Sequence, residues 1–215
     1  MIKLNLVYLS KKATLNAKNK IFQQKDKMPT KRLEAYTELD DETAKLHNII
    51  SYLLLKKILT DNNIEVDESS YNYSKDGKPY YENSNINFSI SHSEDMIAVA
   101  IDDNELGIDV EKIKEVKNNI IDRVYSKEEQ KLYSEKLLDD SFFCKTWTKK
   151  ESFAKSSGKG MNIDFDSITL DLESDFNEIK DYYINTIKLK DAYLSICGKT
   201  KEYDINEINI EQLFD

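Results

Sequence analysis

Two acidic side chains one residue apart, Asp109 and Glu111 in Gly107-Ile108-Asp109-Val110-Glu111, have a type and spacing that suggest chemistry. On a strand they share one face, opposite Ile108 and Val110, with Cα atoms roughly 7 Å apart. Like charges so placed repel, and a cation or solvent must stabilise them. Magnesium suits them, because it is a hard ion that takes oxygen ligands and keeps room for water and phosphates. An exposed edge strand carrying two acids is the plainer alternative. The segment Trp147-Thr148-Lys149-Lys150-Glu151-Ser152-Phe153-Ala154-Lys155 adds a third acid between lysines. On a helix, positions 147, 151 and 155 form one stripe at four-residue spacing, with Lys150 beside it. Glu151 and Lys155 could equally be a surface ion pair worth a few tenths of a kcal/mol, and Trp147 a core residue. Three acids for a metal, two lysines for phosphate and a polar turn at Ser91 and His92 are together what a pyrophosphate-bearing substrate requires.

Strands and helices must bring these residues together. Ile2, Leu4, Leu6 and Tyr8 alternate with polar residues, the period of a half-buried strand. A linker follows. Between about 31 and 59, Leu46, Ile49, Ile50, Leu53, Leu54 and Ile58 keep helical spacing, ending before Thr60, Asp61, Asn62 and Asn63. Asp76-Gly77-Lys78-Pro79 reads as a turn, since Gly tolerates positive φ and Pro removes a donor. From Ile86 the chain is strand-like into Ser91-His92-Ser93, residues 96–101 are β-compatible, and Asp102, Asp103 and Asn104 turn before 106–111. That stretch reads as a β-hairpin. Ser126 and Glu129 form a capping box that opens a helix to about Leu138. Asp139, Asp140 or Ser141 caps a second helix from about 142 to 157, ended by Gly158 and Gly160. Ile168, Leu170 and Leu172 alternate with polar residues, as do the surroundings of Ile184 and of Leu194 and Ile196, and read as strands. Each half runs from helices into strands, so the expected class is α+β.

A chain of 215 residues suffices for one sizeable domain or two of about 100 residues each. Its hydrophobic fraction is only 40%, but 13 Tyr and 8 Phe supply bulky surface to bury, so it folds. A net charge of −9 and a pI near 5.0 give no positive field for nucleic acid or an anionic membrane. Any anion must be held locally. Lys145, Lys149, Lys150, Lys155 and Lys159 do gather, although a solvated helix face is the ordinary meaning of such a run. Cys144 and Cys197 are too few for a disulfide framework and lack metal-ligand partners, so a reducing, cytoplasmic location is the default. The apolar residues 4–9 precede Lys11 and Lys12, the reverse of a signal peptide, and no apolar run nears the roughly 20 residues that span a bilayer. The protein is expected to be neither exported nor membrane-embedded.

Four motifs in order make the sequence resemble the phosphopantetheinyl transferase family of the surfactin-synthetase-activating type. Gly107-Ile108-Asp109-Val110-Glu111 matches its G-[IV]-D-[IV]-E motif, and Trp147 to Lys155 its W-x-x-K-E-[AS]-x-x-K. Phe88-Ser89-Ile90-Ser91-His92-Ser93 is similar to its F-N-x-S-H-S, and Gly77-Lys78-Pro79 to its G-K-P. Each is weak alone; jointly, over about residues 31 to 160, they are specific. The resemblance implies a monomer of two pseudo-symmetric halves, 1–104 and 105–215, each an antiparallel sheet packed on a long helix. Coenzyme A and magnesium would lie in the cleft between them. It implies that Asp109, Glu111 and Glu151 hold the metal and that Lys150 and Lys155 neutralise the pyrophosphate. Ser91 and His92 would contact coenzyme A phosphates, Lys78 and Pro79 would lie near the adenine, and residues 158–189 would dock an apo acyl or peptidyl carrier protein.

The implied reaction moves the phosphopantetheine arm onto a carrier serine and releases 3′,5′-adenosine bisphosphate, with Glu151, Lys155 and Glu129 as catalytic residues. Glu129 aligns with the acid sometimes assigned as general base, and its place in the Ser126 capping box leaves a purely structural role open. Three positions depart from the family pattern. His47, followed by Asn48, stands where an arginine usually meets the coenzyme A 3′-phosphate. Lys31 matches a phosphate-binding lysine, but Glu34 replaces the second, and Ser89 replaces the motif Asn. A non-catalytic module binding coenzyme A or carrier proteins is the rival class. It would tolerate loss of the metal acids, all three of which are present.

Overall fold

The computed structural model describes residues 1–116, 118–136, 139–158 and 163–214. The first strand, β1 (Ile2–Tyr8), lies where apolar alternation places it. The expected linker after it is instead a helix, α1 (Lys11–Phe22), whose N-cap Ser10 accepts the Ala13 amide and which buries only Ala17 and Ile21. Two buried residues in a lysine-rich dodecamer are too faint a period to read. A short helix, α2 (Thr30–Thr37), leads to the long α3 (Glu42–Asp61), capped by Asp41. A small hairpin of β2 (Tyr71–Tyr73) and β3 (Pro79–Tyr81) encloses the Gly77 turn, at φ +81°.

Next come β4 (Asn87–Ser93) and β5 (Met96–Asp102), a hairpin closed at Glu94 and Asp95. The following strand, β6 (Leu106–Lys112), does not extend that hairpin but opens a second sheet. The turn at 102–104 is therefore a crossing between sheets, which corrects the single-hairpin reading. Helices α4 (Asn118–Val124), α5 (Lys127–Lys136) and α6 (Asp140–Ser156) follow. Asp139 caps α6 through the Phe142 amide, and Gly158, at φ +71°, ends it. Gly160, Lys159 and Leu138 lie outside the described residues. Four strands complete the chain: β7 (Phe176–Ile179), β8 (Tyr182–Lys188), β9 (Ala192–Gly198) and β10 (Tyr203–Ile208).

The molecule is α+β in four layers. One sheet runs β10-β1-β5-β4 and the other β6-β9-β8-β7. Val7, Ile97, Val99 and Ile101 on one face of the first sheet pack against α3. Leu4, Leu6, Ala98 and Ala100 on its other face pack against Ile108, Val110, Leu194 and Ile196 of the second. Covered on both sides, β5 is buried at every residue, which is why it shows no alternation. The helix α6 lies on the outer face of the second sheet, over β6 and β9. Strand β10 returns to pair in parallel with β1, and the turn Ile210–Phe214 packs toward α3. The segment 105–215 thus contributes a strand to the sheet of the first half, so a boundary at residue 104 does not divide the chain into two self-contained units.

Residues 168–172 were expected to be a strand. They run extended but unpaired, with Leu170 and Leu172 buried, because side chains take the place of a neighbouring strand. Lys150 donates to the Ile168 carbonyl, Lys149 to those of Asp171 and Ser174, and Lys145 to that of Glu173, while Glu129 accepts the Leu170 amide.

Candidate active site

Strand β6 carries Asp109 and Glu111, and α6 lies across it at Gly107. A Cβ there would run into the Ser152 carbonyl, the Ser156 amide nitrogen and the carbonyl carbon of Lys155. Only glycine lets the helix come that close. The approach places Glu151 and Lys155 of α6 beside Asp109, and the Lys155 ammonium lies 2.7 Å from Asp109 Oδ1 and 3.2 Å from Ser91 Oγ. Ser91 in turn donates to Asp109 at 2.9 Å, and Ser93 donates to Glu111 Oε2 at the same distance.

Burial dominates the electrostatics here. It pushes the Asp109 carboxyl up, with Lys155 and Ser91 pulling against it. Burial, then the nearby Asp109 charge, raises Glu151 to about 7, with Lys155 opposing. Asp109 Oδ2 and Glu151 Oε1 are both buried with no hydrogen-bond donor. Glu151 and Lys155 line a cavity of about 230 Å³, whose wall includes the turn Asp76-Gly77-Lys78-Pro79, Ser89 and Gly158. Glu111 lines a neighbouring apolar groove with Phe143, Cys144 and Trp147.

The other expected site residues divide. Pro79 lines the cavity, as does Lys78, but the Lys78 ammonium is spent on two carbonyls, Leu106 at 3.0 Å and Lys155 at 2.9 Å. It ties the β2–β3 hairpin to the start of β6 and the end of α6. His47 and His92 pack ring to ring, 4.9 Å between centroids, and burial lowers both, His92 to about 4. Lys31 is exposed and paired with Glu34 at 3.0 Å.

Two expected site residues face the interior. The Lys150 side chain is fully enclosed, its ammonium 2.5 Å from Glu129 and donating also to the Val124, Phe165 and Ile168 carbonyls, so it faces the protein interior and not the cavity. Glu129 completes the capping box with Ser126, bonds Lys150 and is equally enclosed. Neither lines the cavity. The basic cluster is likewise mostly internal, since Lys145 and Lys149 are buried and hold the loop 171–175. Sequence reading also missed Arg32, 4% exposed, which donates to Tyr71, Ser51 and the Asn48 carbonyl with no carboxylate pairing it among the described residues. No spacing distinguishes it from Lys31 beside it.

Comparison with known proteins decides the family. The 4′-phosphopantetheinyl transferase superfamily model matches residues 105–204, the span of β6, α6 and their acids. The 4′-phosphopantetheinyl transferase Sfp of Bacillus subtilis (strain 168) is 30% identical over 183 residues, covering 77% of this chain and 80% of that protein. The chain belongs to the 4′-phosphopantetheinyl transferase superfamily. Two further transferases bearing that name are similar: ffp of Bacillus subtilis, 28% identical over 77% of this chain and 80% of its own length, and gsp of Aneurinibacillus migulanus, 32% identical over 58% and 53%.

The candidate site has carboxylates suited to a hard cation, but they are not gathered into a finished cage. Among the described residues no group of three His, Cys, Asp or Glu side chains is arranged to hold a metal. The ammonium of Lys155 already neutralises one oxygen of Asp109. What fits a cation is the pair of buried, donor-free oxygens on Asp109 and Glu151, because such an oxygen is costly until something positive meets it. Magnesium takes few protein ligands and completes its shell with water and phosphate oxygens, so a partial set is the usual provision.

Proposed function

We propose that this chain transfers the phosphopantetheine of coenzyme A to the serine of an apo acyl or peptidyl carrier protein and releases 3′,5′-adenosine bisphosphate. The observation that carries this reading is the coupling of Asp109, Glu151 and Lys155 at a cavity walled by the Gly77-Lys78-Pro79 turn, in a member of this superfamily. Asp109, Glu111 and Glu151 would hold magnesium, which when bound supplies positive charge to the pyrophosphate.

Lys155 is the cation of the lysine motif with access to the cavity, and it neutralises the charge that grows on the pyrophosphate oxygens. Glu151 lines the cavity with it, and its carboxyl, raised to about 7 by burial and by Asp109 while no metal is bound, would be drawn back down by a cation held there. Pro79 packs the adenine, and His92 with its neighbour His47 meets a phosphate of coenzyme A. Residues 158–189 receive the carrier, of which 159–162 lie outside the described residues. With Lys145, Lys149 and Lys150 turned inward, this docking cannot depend on their charge. The protein acts as a monomer in the reducing cytoplasm, where its two free thiols, both buried, stay reduced. Among the described residues no helix is long and apolar enough to cross a membrane.

Incubation with coenzyme A, magnesium and a panel of apo carriers tests the reading. Mass spectrometry should find the phosphopantetheine adduct on at least one acyl or peptidyl carrier, and a chelator should prevent it. Coenzyme A bound but every carrier left unmodified would favour the non-catalytic module instead.

A further inference from the structure

The seam between the two sheets is closed by side chains instead of by backbone pairing. Strands β4 and β6 are edges of different sheets and lie side by side. Ser89, Ser91 and Ser93, every second residue of β4, turn one face toward β6. Their hydroxyl oxygens accept the amides of Ile108 at 3.1 Å, Val110 at 3.2 Å and Lys112 at 3.1 Å, with a constant offset of 19 residues. Strand β6 pairs with β9 along its other side, so these amides point at β4 and need acceptors there. Ile108 and Val110 are fully buried, out of reach of solvent.

A hydroxyl that accepts an amide still has its own proton to give. Ser91 gives it to Asp109 Oδ1, and Ser93 gives it to Glu111 Oε2, an oxygen that also faces Lys114 at 3.5 Å. The first rung differs because Gly107 stands where the carboxylate would be, and Ser89 has no acid on β6 to meet. The rung pattern thus joins two jobs: the same atom that seals the seam also fixes one oxygen of each strand carboxylate.

We propose that the alternate serines act as a side-chain ladder substituting for strand pairing, and that Ser93 is a positioning residue that aims Glu111. Outer partners of this kind hold a ligand carboxylate in place, and their loss typically weakens metal binding about 10–100-fold. The aiming half rests on the proposed metal reading; the ladder half does not.

Two measurements on the full chain separate them. Amide hydrogen exchange in Ser93→Ala should speed at Lys112 by at least about tenfold, and in Ser89→Ala at Ile108, each leaving the other rung protected. Magnesium titrated without coenzyme A, followed by the thermal midpoint, should reach half its effect at about tenfold higher concentration in Ser93→Ala. It should be unmoved in Ser89→Ala and restored by Ser93→Thr, which keeps the hydroxyl. Unchanged exchange in both alanine variants overturns the ladder. Faster Lys112 exchange with an unaltered magnesium response overturns the aiming of Glu111, leaving Ser93 a purely structural member. A wild-type chain that gives no magnesium response overturns the metal reading and the aiming together, and exchange then decides the ladder by itself.

Discussion

At the scale of single residues, two glutamates expected to be catalytic, Glu151 and Glu129, have opposite fates. Glu151 lies at the cavity with a carboxyl at about 7 and an oxygen that lacks a donor. Glu129 is sealed against Lys150. Glu151→Gln is expected to leave the fold intact and to reduce carrier modification to near background; near-wild-type turnover at saturating magnesium would show the carboxylate to be dispensable. The metal-free protein offers a second check. A carboxyl whose folded value exceeds its unfolded one favours folding fully below the unfolded value, about 4.5, and that contribution is lost as pH rises through about 7. Thermal stability without magnesium should therefore decline across that window for the parent and decline less for Glu151→Gln. Glu129→Gln should behave differently. Removing one partner of a buried pair leaves the other charge uncompensated, so it should cost about 3–5 kcal/mol in denaturant melts, and the pH–rate profile should keep its shape.

At the scale of elements, α6 does most of the organising. Its buried lysines gather carbonyls that a strand would otherwise satisfy, and its close crossing at Gly107 brings Glu151 to Asp109. Gly107→Ala should push the helix off β6 at a cost of at least about 1–3 kcal/mol and depress transfer beyond what the stability loss explains, as a melt and a carrier assay in parallel would show. Lys78 performs the matching tie from the hairpin. Lys78→Met abolishes two charge-assisted hydrogen bonds, each contributing about 1.5–3 kcal/mol, and loosens the turn that carries Lys155. Its kcat should fall more than its coenzyme A KM rises, whereas a residue that only gripped the nucleotide would show the reverse.

At the scale of the whole molecule, the two sheets share a core, so the halves should not melt apart. Leu4, Leu6, Ala98 and Ala100 of one sheet fill the space above Ile108, Val110, Leu194 and Ile196 of the other. A single cooperative transition is expected by calorimetry and by fluorescence of Trp147 alike, and non-coincident curves would contradict it. The return of β10 binds the C-terminal end into the first sheet, and Ile210 and Leu213 lie in the core beside α3. Deleting residues from 203 onward would therefore unseat the N-terminal half as well.

The sequence by itself determined the local pieces: β1 from alternation, α3 from helical apolar spacing, the Ser126–Glu129 box, a cap at Asp139, Asp140 or Ser141, and the Gly158 stop. It also determined the family, because the acids at 109 and 111 and the Glu151–Lys155 motif are chemistry written at fixed short spacing. What only the tertiary structure decided is which side of each element meets what. Lys150 and Lys155 look alike in the chain, yet one is wholly enclosed and the other reaches the cavity. Strand β6 leaves its apparent hairpin for another sheet, and 168–172 alternates like a strand with no strand to pair. Periodicity reports a residue's face, which is local; burial and partners depend on elements far away in sequence, and no short-range pattern encodes them.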